Sequence, residues 1–232
     1  MTINPADLRR VNVFRDASDE DLKLFVANGI LRSIEEGEFF FFQGDPAVYF
    51  YILVTGKAKL LQSNQSGQQV NLRTLSEWQM FGALGAVRDE ALYPATAQAL
   101  EPSTALAIES SFLKEMMKTR PHLNVNLMQL MTGYIMEMQE RYRELATERV
   151  EQRIAHTVLR LASQMGQRIE DGTTMVELAF SRQDLAEMSG TTLFTVSRTL
   201  SEWEKSGLIE AGRERIKIKN PHGLVKIAEQ TN

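Results

Sequence analysis

The chain has 232 residues, enough for two domains that each bury a core. Hydrophobic residues make up 43% and charged residues 24%, the balance of a soluble globular protein. Cysteine is absent, which excludes disulfides, thiol catalysis and a cysteine-ligated iron–sulfur cluster, and the net charge is −4.

Residues 1–30 read as helical and peripheral. Their N-terminus lacks an apolar signal core, and no later stretch reaches the length of a membrane span. The expected location is cytoplasmic, with no membrane partner. Phe14, followed by the run Ser18 to Phe25, suggests a capped amphipathic helix. From Ile34 to about Ile108 the texture changes to short β-rich runs at 38–42, 49–54, 57–61, 69–73, 95–99 and 104–108. Glycines at 37, 44, 56, 67, 82 and 85 punctuate them. Many short strands with regular turn signals predict a small β-barrel or jelly roll.

After Ser110 the period becomes helical. A short helix over Ser111–Thr119 stops before Pro121. A long one follows from about His122 to Thr147. On it Leu127, Met131, Tyr134, Met138, Tyr142 and Leu145 recur in steps of three and four, close to a heptad seam that requires a partner. Two partners fit: the same helix of a second subunit, or the chain's own barrel. A further helix covers Glu148–Met165.

Residues 180–219 read as a winged helix-turn-helix, an element that places its second helix in the DNA major groove. Ser181 with Asp184 resembles a capping box, so a helix starts at Arg182. Gly190 supplies the turn, and Thr191 or Thr192 caps the second helix. On that helix Leu193, Val196, Leu200 and Trp203 form an apolar stripe for the core. Phe194, Ser197, Arg198 and Ser201 lie on a different face. There Arg can fork onto guanine O6 and N7, and a ring can touch a thymine methyl. Gly207 ends the helix. A hairpin follows, basic at Arg213, Arg215, Lys217 and Lys219 and suited to phosphates. Residues 148–232 carry 12 basic and 12 acidic side chains, so the negative charge lies wholly in the N-terminal part. Attraction to DNA then rests on local clusters.

In this order, barrel, long helix and winged helix-turn-helix resemble the Crp/Fnr superfamily of bacterial transcription regulators. Phe42-Gln43-Gly44-Asp45, Tyr51–Lys57, Phe81-Gly82-Ala83-Leu84-Gly85 and Phe180–Leu208 carry the resemblance. It implies an α+β architecture in three parts: an effector-sensing barrel (1–120), a dimerisation helix (121–147) and a DNA-binding domain (148–232). It also implies a homodimer on palindromic double-stranded DNA, a small-molecule effector and RNA polymerase as partner. Carried over by position, Phe194, Ser197 and Arg198, with Leu193 at the edge, read bases. Ser181, Arg182, Gln183, Thr192, Thr195 and Arg213 meet phosphates. Phe81, Gly82, Ala83, Leu84, Tyr93, Pro94, Met131 and Tyr134 frame the effector pocket.

That pocket departs from the cyclic-AMP-binding pattern. Ala83 stands where the pattern has Glu, and Tyr93-Pro94 where it has Arg-Ser. A buried phosphate would be left unpaired there, at a high cost. An uncharged or hydrophobic effector, or haem, is expected instead. The runs Tyr93–Ala99 and Thr191–Arg198 resemble the nitric-oxide-responsive branch, which implies haem. An axial ligand would then come from His122, His156 or His222. No nucleotide-binding loop, metalloprotease motif or nucleophile elbow occurs, so an enzyme is not expected. The competing reading is a sensory module that regulates a protein partner.

Overall fold

The computed structural model describes residues 2–63, 69–165, 167–168, 174–176, 181–212 and 215–229. The chain divides into two compact units. One holds residues 1–63 and 73–138, the other residues 64–72 and 139–232.

Two 3-10 turns, Pro5–Arg10 and Asn12–Phe14, lead to helix α1 (Asp19–Ala27). Ser18 caps α1 by accepting the Asp21 N–H at 3.1 Å, and three acidic residues fill the first turn, where the helix dipole favours them. This segment is not peripheral. Leu8, Val13, Phe14, Leu22 and Phe25 have no exposed surface and belong to a core shared with Phe50, Ile52, Leu106 and Ile108.

Strand formation also begins earlier than the sequence predicts, with β1 (Gly29–Ile34). It is followed by β2 (Phe39–Phe41), β3 (Tyr49–Thr55), β4 (Ala58–Ser63), β5 (Gln69–Leu75), β6 (Met80–Phe81), β7 (Thr96–Ala99) and β8 (Ser103–Glu109). Two four-stranded sheets result, ordered β1-β8-β3-β6 and β2-β7-β4-β5. The period of two decides what each face holds. On β3, Phe50, Ile52 and Val54 join the core with α1, while Tyr51 and Leu53 join a second core. Its neighbour β8 alternates in register: Tyr51 opposes Ala107, and Ile52 opposes Leu106.

The second core is built from large and small residues in complement. Ala97, Ala105 and Ala107 leave room for Phe40, Phe41, Tyr51, Phe81 and Tyr93. Phe41 and Tyr93 stack with centroids 3.7 Å apart, and Tyr51 and Phe81 stack at 5.2 Å. Such ring pairs add to the burial of their area. Helices α2 (Leu84–Val87) and α3 (Ser110–Thr119) follow, then α4 (Pro121–Thr147), which contributes residues to both units.

The C-terminal unit comprises α5 (Val150–Met165), β9 (Gln167–Arg168), β10 (Thr174–Val176), α6 (Arg182–Ser189), α7 (Leu193–Lys205), β11 (Ile209–Gly212), β12 (Arg215–Ile218) and α8 (Pro221–Ala228). Its sheet is ordered β11-β12-β10-β9. Ile154, Val158 and Leu161 of α5 are buried, as are Val196, Leu200 and Trp203 of α7. Helix α8 was not anticipated from the sequence, although its start is written there. Pro221 occupies the first turn, and the Asn220 side chain accepts the Gly223 N–H at 2.8 Å. Among the described residues, no helix is long and apolar enough to cross a membrane.

Candidate nucleic-acid interface and small-molecule cavity

The helix pair α6–α7 is held by caps at each joint. Ser181 accepts the Asp184 N–H at 3.2 Å, and Asp184 accepts the Ser181 N–H at 2.9 Å, a complete capping box. Gly190 closes α6 at φ +63°, and a Cβ there would meet Leu145 Cδ2 at 2.6 Å. The backbone therefore favours glycine, whereas the Leu145 side chain can move aside. Thr192, not Thr191, caps α7 by accepting the Thr195 N–H at 3.2 Å. From α5, the Arg153 guanidinium donates to the carbonyls of Ser189 at 3.0 Å and Gly190 at 3.1 Å. It fixes the turn that aims α7. The Trp203 indole donates to Glu151 of α5 at 2.9 Å and fixes the far end.

What α7 leaves uncovered is the expected reading face. Phe194 is 76% exposed, Ser197 is half-buried, and the Arg198 side chain is exposed with Glu202 at 3.8 Å. Leu193 departs from the predicted core stripe: it lies 46% exposed in the first turn, and Thr199 takes the buried place between Val196 and Leu200. Leu193 thus joins the reading face. Arg182 and Gln183 are exposed on α6. The Ser181 hydroxyl is already committed, donating to Asp184 at 2.8 Å, so Ser181 shapes the helix start. The Thr192 and Thr195 hydroxyls bond each other at 2.9 Å on the surface. Arg213 lies outside the described residues. Lys219 pairs with Glu210 at 2.9 Å across the hairpin.

Of the expected effector residues, Phe81, Gly82, Leu84 and Tyr93 gather at the second core, whereas Pro94 and Met131 lie at the surface. Phe81 and Tyr93 are filling of the second core. Burial pushes the Tyr93 phenol up, and the hydroxyl donates to the Tyr49 carbonyl at 2.6 Å. Gly82 sits at φ +74°, and a Cβ there would touch both Phe41 and Tyr93 at 3.2 Å. Ala83 precedes α2 and Leu84 opens it, both half-buried. Pro94 is exposed, and Met131 is 43% exposed. Tyr134 of this set lines a cavity in the N-terminal unit.

That cavity measures about 220 Å³. It lies among the 3-10 turns, the end of β5, the turn into β6, and α4. Arg10 lies over the Trp78 ring at 4.8 Å, and Arg73 over the Tyr134 ring at 3.8 Å. The Tyr134 hydroxyl donates to the Met80 carbonyl at 3.4 Å, and burial raises its pKa. Sequence reasoning missed Arg10, Arg73 and Trp78, which carry no motif and are far apart in the chain.

The residues do not fit haem there. The lining contains no histidine, and the volume is below the roughly 300 Å³ at which ordinary ligand pockets begin. His122 is half-buried, His156 faces Glu148 at 3.5 Å, and His222 is exposed. Among the described residues, no cluster of histidine, aspartate or glutamate could hold a metal ion.

On α4 the structure corrects the predicted seam. Leu127 is 5% exposed and packs into the N-terminal core, and Tyr134 faces Arg73. The exposed stripe is instead Met128, Met131, Ile135, Met138, Tyr142 and Leu145. Its steps of three, four, three, four and three follow a heptad more closely than the predicted set.

Known proteins carry the same parts. Residues 31–120 match the model of the cyclic nucleotide-binding domain, and residues 152–227 that of the Crp-like helix-turn-helix domain. The chain is 30% identical over 217 residues to the global nitrogen regulator of Synechococcus elongatus, covering 92% of this chain and 94% of that one. It is 28% identical over 204 residues to the fumarate and nitrate reduction regulatory protein of Escherichia coli K12, covering 86% and 79%. In fold it is similar to FixK2 from Bradyrhizobium japonicum, with a TM-score of 0.77 at 20% identity over 88% of this chain and 99% of that one.

Proposed function

The chain belongs to the Crp/Fnr family of transcription regulators, and from that premise we propose that it binds a two-fold-symmetric operator as a homodimer whose DNA affinity is set by a small molecule. The observation that carries this reading is the α7 surface. A capped helix, fixed at both ends to α5, turns Phe194, Ser197 and Arg198 outward with no part in the core.

The α4 stripe supports the homodimer. Six exposed apolar residues in heptad spacing suit the same stripe of a second copy about a two-fold axis. A two-fold dimer presents two α7 helices to two half-sites, with RNA polymerase as the downstream partner. The aromatic filling between the sheets supports an effector other than a cyclic nucleotide, because the Tyr93 ring and Ala83 offer a phosphate and a ribose neither cation nor carboxylate. Nothing at the cavity favours the nitric-oxide-responsive branch.

A mobility-shift assay on genomic fragments, followed by footprinting, tests the reading. Two protected half-sites about one helical turn apart are expected. Absence of any retained fragment at low salt would refute it.

A further inference from the structure

We infer that the Arg10–Trp78–Arg73–Tyr134 cavity is a binding site for a short-chain organic carboxylate. The inference rests on the proposed sensory role of the N-terminal unit and names the chemistry it would sense.

Two hydrogen-bond donors at this cavity are left open. Arg73 Nη1 and Trp78 Nε1 are both shut off from water and have no hydrogen-bond partner. Leaving such donors unmade is expensive, most of all on a cation. Neither Arg10 nor Arg73 has a carboxylate partner among the described residues. Each guanidinium instead lies on a ring, Arg10 on Trp78 and Arg73 on Tyr134. A stacked guanidinium keeps its N–H fork pointing edgewise, the geometry that a carboxylate accepts with both oxygens. An indole N–H can only donate. The missing ligand is therefore an acceptor with negative charge.

Two features choose a carboxylate over a bare inorganic anion. Val11, Met80 and Leu130 also line the cavity and call for a short hydrocarbon part. Glu77 also lines the cavity, and its carboxylate disfavours a ligand that carries two negative charges, phosphate among them.

The backbone gives an independent indication. Trp78 sits at φ +63°, a region that bulky residues avoid. Glycine would hold this turn without strain, yet tryptophan occupies it, with its ring under Arg10. Strain of this kind persists where the side chain has a task.

Calorimetry on the full chain tests the site, with sodium butyrate as probe, sodium succinate and sodium phosphate as doubly charged comparisons, and sodium chloride holding ionic strength constant. Saturable binding of butyrate is expected, tighter than that of succinate or phosphate. Arg73→Gln and Trp78→Phe should each weaken it more than tenfold, whereas Arg88→Gln, on an exposed residue outside the cavity, should leave it unchanged. Trp78→Phe keeps a six-membered ring but removes the N–H together with the five-membered half of the indole, so its melting temperature is read beside its binding, and a loss of binding at unchanged melting temperature reads the site and not the fold. No saturable heat from butyrate at millimolar concentration overturns the proposal, as does tighter binding of succinate or phosphate or equal loss in Arg88→Gln. Operator affinity with and without the probe is read separately. Binding that leaves it unchanged supports the site and removes the regulatory reading, whereas a protein that binds operator but not butyrate loses the site and keeps its DNA function.

Discussion

Arg198 and Arg182 differ in what surrounds them, and their substitutions should separate reading from anchoring. Arg198 shares its exposed face with Phe194, and its one ion pair, with Glu202 at 3.8 Å, is a loose surface contact that DNA can displace. Arg198→Ala is expected to cost roughly 1–3 kcal/mol per half-site and to relax preference at one symmetric base pair. Arg182→Ala should weaken binding to all sequences alike and flatten the salt dependence by about one ion per half-site. A salt-titrated affinity series on single-base operator variants checks both. Equal loss on every variant for Arg198→Ala would make it a phosphate contact.

Asp21 gives a pH test at the same scale. Burial pushes its carboxyl up, but hydrogen bonds from Arg120 and Ser18 outweigh burial and hold it below the ordinary value of 3.8. A depressed folded pKa supplies stability that is complete above the unfolded value and is lost as pH falls through the folded one. Asp21→Asn should therefore lower stability at pH 7 by about 1 kcal/mol. It should also flatten the acid dependence of melting below about pH 4, measured by thermal scans. Caps such as Ser181–Asp184 were legible because they are local. Leu193 was misread because periodicity alone placed it with Val196, although it sits in the first turn at the open end of α7. Thr199 was missed because a hydroxyl reads as polar even where its methyl faces the core.

At the scale of elements, α4 shows where periodicity stops deciding. The helix has two apolar faces, and neighbouring residues such as Leu127 and Met128 lie only about 100° apart around it. Both faces satisfy a heptad on paper, and only packing assigns them. Ile135→Glu should convert the proposed dimer to monomer, seen by sedimentation at micromolar concentration, and abolish operator binding. Leu127→Ala should leave the dimer intact and cost about 2–5 kcal/mol of stability in the N-terminal unit. The reverse pattern would restore the predicted seam. Further along, the buried Glu144 carboxylate accepts both Arg160 Nη atoms at 3.1 Å and ties the end of α4 to α5. Arg160→Met leaves that charge alone, and a loss of about 3 kcal/mol is expected in denaturant unfolding of the C-terminal unit.

Over the whole molecule, the order of barrel, long helix and winged domain was legible, since each part has its own period and turn signals. The cavity was not, because Arg10, Arg73, Trp78 and Tyr134 meet only through the fold. The aromatic filling between the sheets was half legible. Tyr93 and Ala83 were read as departures from the nucleotide-binding pattern, but that rings take up the space was not. Cyclic AMP is expected to give no calorimetric heat and no change in operator affinity. A sub-millimolar dissociation constant would show that the rings give way.

The exchange of alanine for aromatic volume in that core also bears on how such a domain can change over generations. Two of the rings face a small residue on a neighbouring strand, Tyr51 facing Ala107 on β8 and Phe41 facing Ala97 on β7. Placing Glu at 83 or Arg at 93 supplies a polar group but opens no chamber, and removing one ring leaves a void with no ligand to fill it. Neither step is useful without the other. On the proposed reading, nucleotide sensing would thus require several substitutions together, and single mutations in the barrel are expected to register as lost stability before they register as a new signal.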